Sequence, residues 1–192
     1  MLRLGLSEKG VTEILAIAEH IASVCAAAEG LRLRPDVPDA SPGPGGELVD
    51  LAAALPAEAD TALRPIRDWA REGLQLDRAP AFWIALARKP RLLRSAWAKH
   101  RLVLGPGELD VPAKLSLALA VAMNKQSPYW TSYLAHEGRV AGVFDDDVIV
   151  EIAGNVMHFV AFNTISDGMM LEAPFEDLDA KTPPGGSPPL SE

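Results

Sequence analysis

The side chains best suited to acid–base chemistry lie in one short stretch of the chain, around His136. Histidine changes charge near neutral pH, so it can take up or release a proton under ordinary conditions. Ser132 precedes His136 by four residues and would share its helix face, and Tyr129 is close in sequence. No orienting carboxylate or oxyanion hole accompanies this pair, so a half-exposed structural histidine is the favoured interpretation and catalysis is the alternative.

A second chemistry to weigh is metal binding through nitrogen and oxygen ligands. His136 and His158 would form such a site if they faced each other across two helices beside Glu151 or Glu137. These residues lack the three- or four-residue spacing that ligand pairs on helices usually have. Hydrogen-bonded histidines in a core or a subunit interface are therefore favoured, and we expect neither a metal nor a cofactor. For the run Asp145–Asp147, helix capping is favoured over a metal site.

Thiol chemistry is limited by the single cysteine of the chain, Cys25. One cysteine excludes an intramolecular disulfide, a Cys-x-x-Cys pair and a site with several thiolate ligands. The residues next to Cys25 are Val24 and Ala26, and no positive charge near it in sequence would lower its pKa. We therefore expect Cys25 to be a small core residue.

The composition is that of a folded, acidic protein. The 192 residues are 48% hydrophobic, and the net charge is −8. Such a charge opposes binding to nucleic acid or to an anionic membrane surface, and the basic stretch from Arg91 to Arg101 is expected to be a solvated helix face. Glu8 and Lys9 interrupt the apolar region that a signal peptide needs, and no run of about 18 uncharged apolar residues is present. A cytoplasmic location and no membrane partner are expected.

Hydrophobic periodicity predicts helices and no sustained strand. Ser7 can cap a first helix that ends at Gly30. Prolines at 80, 90, 112 and 128 sit where one helical segment ends and the next begins. The further helices are expected at 61–73, 81–89, 91–104, 111–126, 131–141 and 145–166. The predicted fold class is all-α.

Proline- and glycine-rich segments suggest a division of the chain. Residues 1–30 are predicted to form an N-terminal helix and residues 31–47 a linker, because the run from Pro35 to Gly46 denies helical geometry. Residues 48–174 would then be the helical domain. The tail at 175–192 has the same composition as the linker, so it is expected to be flexible.

Residues 80–172 resemble the core of the carboxymuconolactone decarboxylase and alkyl hydroperoxidase D-like (AhpD-like) superfamily. The resemblance lies in the order of parts: two short helices, a glycine-containing turn, a small-apolar helix that begins near Lys114, a Pro-Tyr elbow, a helix closed by Gly142-Val143, and a long apolar helix. It implies an AhpD-like helical fold with an N-terminal helical extension. It also implies a homo-oligomer, often a trimer or hexamer in this superfamily.

In that family a glutamate, a Cys-x-x-Cys pair and a histidine relay a proton to activate a thiolate. Matched without gaps, this sequence has Leu115 at the glutamate, Ser127 and Trp130 at the cysteines, and Leu134 at the histidine. A register shifted by two residues puts Tyr129 and Ser132 at the cysteines and His136 at the histidine, but it needs a compensating deletion. Neither register supplies sulfur, so thiol peroxidase activity is predicted to be absent.

Two functions remain open at this point. The first is a non-redox member, either a pseudoenzyme or a protein that binds a small molecule or a partner. The second is an enzyme of the peroxidase-like or lactone decarboxylase-like kind, in which His136 and a hydroxyl of Ser132 or Tyr129 act as acid and base. A small apolar ligand would fit a pocket between helices, and the residues expected to line it are Tyr133, Met157, His158 and Phe162.

Overall fold

The structure, a computed structural model, describes residues 7–38, 40 and 46–170, and the regular elements in that part of the chain are helices. The all-α prediction is confirmed. The helices are α1 (Glu8–Gly30), α2 (Ala57–Gly73), α3 (Ala81–Ala87), α4 (Pro90–Leu104), α5 (Val111–Asn124), α6 (Pro128–Val140) and α7 (Asp146–Gly168). The predicted tail at 175–192 and residues 39 and 41–45 of the proline-rich run lie outside the described residues.

Local sequence accounts for where most helices begin. Ser7, Asp110 and Ser127 each accept a backbone N–H from the first turn of α1, α5 and α6. Asp145 does the same for α7, since its Oδ1 accepts the N–H of Val148 at 2.9 Å. The predicted caps at Ser7 and at the aspartate run are therefore confirmed.

Helix α4 begins one residue before its predicted start, at Pro90, and two other helices begin three or four residues early. Helix α2 starts at Ala57 rather than at residue 61, with the acidic Glu58 and Asp60 in its first turn to complement the helix dipole. Helix α6 starts at Pro128 rather than at residue 131, because Ser127 caps it and proline fits a first helical turn. The earlier start puts Tyr129 and Trp130 on helix α6 instead of on an elbow loop.

The hydrophobic core is built around α1, which packs mainly against α5 and also against α4 and α6. Ile17, Ile21 and Ala28 of α1 have no exposed surface. The N-terminal helix thus belongs to the core and does not stand apart from it as an extension. Burial of each isoleucine side chain stabilises the fold by about 1.5–3 kcal/mol.

An ion pair between the buried Lys114 of α5 and the half-buried Glu13 joins α5 to α1, next to the loop between α4 and α5. The Lys114 Nζ lies 3.2 Å from Glu13 Oε2 and 2.8 Å from the carbonyl oxygen of Gly105. The backbone N–H groups of Leu109 and Glu108 donate to the same carboxylate and hold the pKa of Glu13 below its usual value. The carboxylate and the ammonium group therefore both have several partners, which offsets the cost of burying them.

Glycines permit the close approach of α6 to the turn that follows it. Gly142 has a φ of +68°, which ends the helix in the left-handed region. A Cβ at Gly138 would lie 1.9 Å from the Phe144 ring, so only glycine leaves room for that ring. The predicted closure of this helix at Gly142 is confirmed.

The chain divides into two compact units, Met1–Met157 and His158–Glu192. The described part of the second unit is the C-terminal portion of α7, where the His158 ring lies edge-on to Phe162 at 4.5 Å between centroids. Helices α1 and α7 are long and apolar enough to cross a membrane by length and composition. Core helices of globular proteins pass the same test, and α1 is packed in the core, so the absence of a membrane partner stays a prediction.

Candidate functional site

The first turn of α6 carries the residues matched to the family's cysteines. Ser127 donates its hydroxyl to Glu29 Oε1 at 2.7 Å, and its Oγ accepts the N–H of Trp130 at 3.4 Å. The Trp130 indole is fully buried, and its Nε1 donates to the carbonyl oxygen of Val24 at 2.9 Å. The polar groups of both side chains therefore have structural partners, and the indole ring takes up interior space beside α1.

The two other matched positions are apolar core. Leu115 on α5 and Leu134 on α6 are buried among the hydrophobic residues that join α1, α5 and α6. Neither side chain can carry a proton, so a relay through these positions has no chemical basis.

Tyr129 is buried and bonded on both sides of its hydroxyl. The oxygen accepts the N–H of Phe82 at 2.9 Å, and the hydroxyl donates to Asp36 Oδ1 at 3.2 Å. Burial, with the Asp36 carboxylate second, raises the pKa of Tyr129 well above its usual value, so the phenol keeps its proton. The other oxygen of Asp36 accepts the N–H of Ala81 at 2.8 Å, at the start of α3. This carboxylate lies in the segment predicted as a linker, and sequence alone did not indicate its role.

His136 is held by the backbone of the residue that follows α2. Its Nε2 lies 2.8 Å from the carbonyl oxygen of Leu74. A carbonyl only accepts, so Nε2 must carry the proton and Nδ1 is the nitrogen left to act as a base. The ring is anchored by this bond rather than by the Ser132 hydroxyl four residues earlier. That arrangement supports the structural interpretation of His136.

Cys25 is buried on α1, next to Ser127. Burial raises the pKa of its thiol to about 11, although the neighbouring Ser127 hydroxyl opposes the shift. At neutral pH the thiolate, which is the nucleophilic form, is therefore scarce.

The interior between α2, α3, α4 and α6 is an aromatic cluster. All four tryptophans and both tyrosines of the chain contribute to it, with the Trp69 ring 5.1 Å from Trp97 and 6.0 Å from Tyr133. Further close ring pairs join Trp83 to Trp97 and Trp130 to Tyr133. The Trp83 Nε1 and the Tyr133 hydroxyl are buried close to each other, and they form no well-aligned hydrogen bond. Unsatisfied polar atoms of this kind are uncommon in protein interiors.

A buried histidine pair borders this cluster. His20 Nε2 and His100 Nδ1 are 3.0 Å apart, so one ring donates its proton to the other. Burial lowers the pKa of His20 to about 4 and that of His100 to about 3. Both rings are therefore neutral at pH 7, and His20 Nδ1 has no partner. The prediction that the stretch from Arg91 to Arg101 is a solvated basic face is thus wrong for His100.

Beside the pair is a cavity of about 120 Å³. Its walls come from α2, α4, α5 and α6, and its polar lining is His100, Arg101, Lys114 and Glu137. The Oε2 of Glu137 is buried and makes no hydrogen bond. Burial raises the pKa of Glu137 to about 7, against the opposing effect of Arg101. A carboxyl group of that pKa exchanges its proton near neutral pH, and when ionised it needs a counter-charge.

Sequence reasoning considered Glu137 only as a metal ligand and did not place it in a pocket. A signal was present, because Glu137 follows Trp130 and Tyr133 at helical spacing, which puts a carboxylate on the apolar face of α6. The contribution of His100 had no such signal, since its partner His20 lies 80 residues away in the chain.

The four residues predicted to line an apolar pocket do not share one environment. Tyr133 is buried in the aromatic cluster, whereas Met157, His158 and Phe162 are exposed on α7. The pocket that they were expected to line stays a prediction. Within the residues that the structure describes, no group of three or more histidine, cysteine, aspartate or glutamate side chains is arranged to hold a metal ion.

Comparisons of this chain with family models, with curated proteins and with solved structures found no match.

Proposed function

We propose that this chain is a non-redox member of the AhpD-like superfamily that acts by binding a small molecule or a partner. The observation that carries the proposal is the position of Trp130. In the gapless register this residue stands where the family has its second cysteine, and its indole is buried and bonded to Val24. A bulky, satisfied side chain at that point leaves no room for a peroxide to approach a nucleophile.

The lone thiol does not offer a substitute. Cys25 lies in the core, and burial keeps its thiol protonated. A peroxidase cycle also needs a second thiol, within the chain or on a partner, to resolve the sulfenic acid that forms on the first. The chain supplies no such second thiol.

A peroxide-consumption assay tests the proposal. The purified protein, supplied with a dithiol reductant and an organic hydroperoxide, is expected to consume no more peroxide than its Cys25→Ala variant. A rate that disappears in the Cys25→Ala variant, with folding preserved by circular dichroism, would overturn the proposal.

Self-association is the second part of the proposal, as the family resemblance implies. Helix α7 exposes several large apolar side chains, namely Val150, Met157, Phe159, Phe162 and Ile165. Several large exposed apolar side chains on one helix are typical of interaction sites. A homo-oligomer that buries α7 between copies would remove this surface from water.

Light scattering on the full chain tests the assembly. We expect an oligomer whose mass falls towards that of a monomer in a Phe159→Gln/Phe162→Gln double variant. A Leu102→Gln variant is the matched control, because Leu102 is an exposed apolar residue on α4. A monomeric wild-type protein would contradict the assembly and leave the redox part of the proposal standing.

A further inference from the structure

We propose that the cavity bounded by α2, α4, α5 and α6 binds a small organic cation, a protonated or methylated amine, with Glu137 as its counter-ion and Trp69 as its aromatic wall. This inference rests on the proposed binding function and names its ligand class. It concerns a site on the opposite end of α6 from the positions matched to the family's cysteines.

Glu137 carries a carboxylate with an unpartnered oxygen. The residue lines the cavity, and its Oε2 is buried and makes no hydrogen bond. A buried charge without a partner is costly, and a carboxylate in that position is stabilised by a cation placed next to it. In the unliganded protein the same cost is met by proton uptake, in agreement with a pKa of about 7.

The cations already present do not serve Glu137. Lys114 is bonded to Glu13 and to the carbonyl oxygens of Val103 and Gly105. Arg101 is exposed and lies over the Trp97 ring, 5.8 Å from its centroid.

The remaining groups around the cavity do not neutralise Glu137 either. His20 and His100 stay uncharged near neutral pH. Among the ion pairs of the described residues, none includes Glu137. The carboxylate therefore forms no salt bridge among the described residues, and Arg101 acts on it only by lowering its pKa from a greater distance.

The aromatic surroundings favour an organic cation over a simple metal ion. Trp69 lines the cavity, with the rings of Trp97 and Tyr133 close behind it. The face of an indole attracts ammonium groups, particularly methylated ones that lose little hydration. The contact of Arg101 with Trp97 shows that this cluster already accepts one cation at its rim. A carboxylate combined with aromatic faces is the usual chemistry of ammonium recognition.

The size of the cavity limits the ligand. Its volume of about 120 Å³ corresponds to about four water molecules at ~30 Å³ each. Methylammonium and trimethylammonium fit such a space, whereas long polyamines do not. An adjoining surface groove is lined by Asp68 and Glu72 as well as by Trp69 and Arg101, so its acidic side chains favour the approach of a cation.

A small carboxylate is the competing ligand, because Arg101 and Lys114 also line the cavity. The two ligands have opposite pH dependence. A cation binds the ionised form of Glu137, so its affinity rises with pH, whereas a carboxylate binds the protonated form and weakens as pH rises. For a carboxyl pKa of about 7, the ionised fraction grows about tenfold between pH 6 and pH 8.

The test is a titration of the full-length protein with trimethylammonium chloride, followed by tryptophan fluorescence and calorimetry. Sodium acetate and potassium chloride at equal ionic strength are the comparison ligands. We expect saturable binding of trimethylammonium alone, about tenfold tighter at pH 8 than at pH 6. Acetate binding that weakens with pH, or no saturable binding of trimethylammonium, would overturn the inference.

Substitutions of single residues test whether Glu137 binds trimethylammonium. Glu137→Gln preserves the shape and is expected to abolish saturable binding at both pH values. Glu151→Gln, on exposed α7, is the matched control and is expected to bind like the wild type. Arg101→Gln removes a competing charge from the rim and is expected to tighten binding several-fold. Equal binding by wild type and Glu137→Gln would reject the site.

The outcome is separable from that of the proposed function. Absence of ammonium binding, together with absence of thiol-dependent peroxide consumption, rejects only the ligand class. Peroxide consumption that depends on Cys25 rejects the proposed function while leaving the titration result unaffected.

Discussion

The two ends of helix α6 differ in how their polar groups are satisfied. At the N-terminal end, Ser127 and Trp130 donate to Glu29 and Val24, and each bond joins α6 to α1. At the C-terminal end, Glu137 Oε2 is buried with no hydrogen bond. The first end therefore functions as structure. The second end retains an unpaired group of the kind by which binding sites are often recognised.

The positions matched by resemblance therefore do not coincide with the unpaired carboxylate oxygen of this chain. The positions matched to the relay are packed or capped, whereas the unpaired carboxylate lies three residues beyond the predicted histidine position at Leu134. Buried polar atoms without partners cost free energy, so a fold keeps them where something else compensates that cost. The following substitutions separate the two ends.

The largest effect is expected from Trp130→Ala. Removal of a fully buried indole leaves a cavity and removes the bond from its Nε1 to the Val24 carbonyl oxygen, so the free energy of unfolding should fall by about 3–5 kcal/mol. Urea denaturation followed by circular dichroism measures the change. Trp97→Ala, which removes a partly exposed indole of the same cluster, should cost less. A loss below about 1 kcal/mol for Trp130→Ala would mean that this end of α6 is not a packed core.

A pH-dependent gain is expected from Glu137→Gln. The folded pKa of about 7 lies above the ordinary value of 4.5, so the folded state holds a proton that the unfolded chain has already released between those two pH values. The wild type therefore loses stability as pH rises from about 4.5 to about 7. Glutamine cannot ionise, so the variant should be more stable above pH 7 by about 3.5 kcal/mol, which is about 2.5 pKa units at ~1.4 kcal/mol each.

Denaturation curves at pH 4 and pH 8 measure this difference. Near pH 4 the variant and the wild type should agree, because the carboxyl group is then largely protonated in both states. Glu151→Gln should change stability by no more than about 0.5 kcal/mol at either pH. If the stability difference between Glu137→Gln and the wild type is the same at pH 4 and pH 8, the carboxyl group is not held in a low-polarity site.

The smallest effect is expected from Ser127→Ala. The variant loses the N-cap of α6 and the bond to Glu29, so a fall of about 1 kcal/mol is expected, within the range of about 0.5–2 kcal/mol for lost caps. Ser132→Ala, within the same helix, should cost less than about 0.5 kcal/mol. Thermal unfolding of the two variants measures the difference. Equal midpoint temperatures for Ser127→Ala and Ser132→Ala would argue against the capping role of Ser127.

Much of the secondary structure could be predicted because its causes are local. The cap at Ser7, the acidic start at Asp145 and the proline boundaries depend on neighbours within one turn. The start of α6 was predicted three residues late, since periodicity gave less weight to the Ser127-Pro128 pair than to the apolar positions that follow. Asp36 was missed because its partners Ala81 and Tyr129 are far away in sequence.

The sequence by itself determined that the chain is helical and that no pair of thiols exists within it. Helical periodicity and a count of cysteines need no knowledge of distant contacts. Only the tertiary structure decided that Ser127 meets Glu29 across 98 residues, that His20 meets His100, and that Glu137 Oε2 meets no partner. Hydrogen-bond satisfaction is set by which helices pack together, and that packing brings together side chains whose spacing along the chain carries no periodic signal.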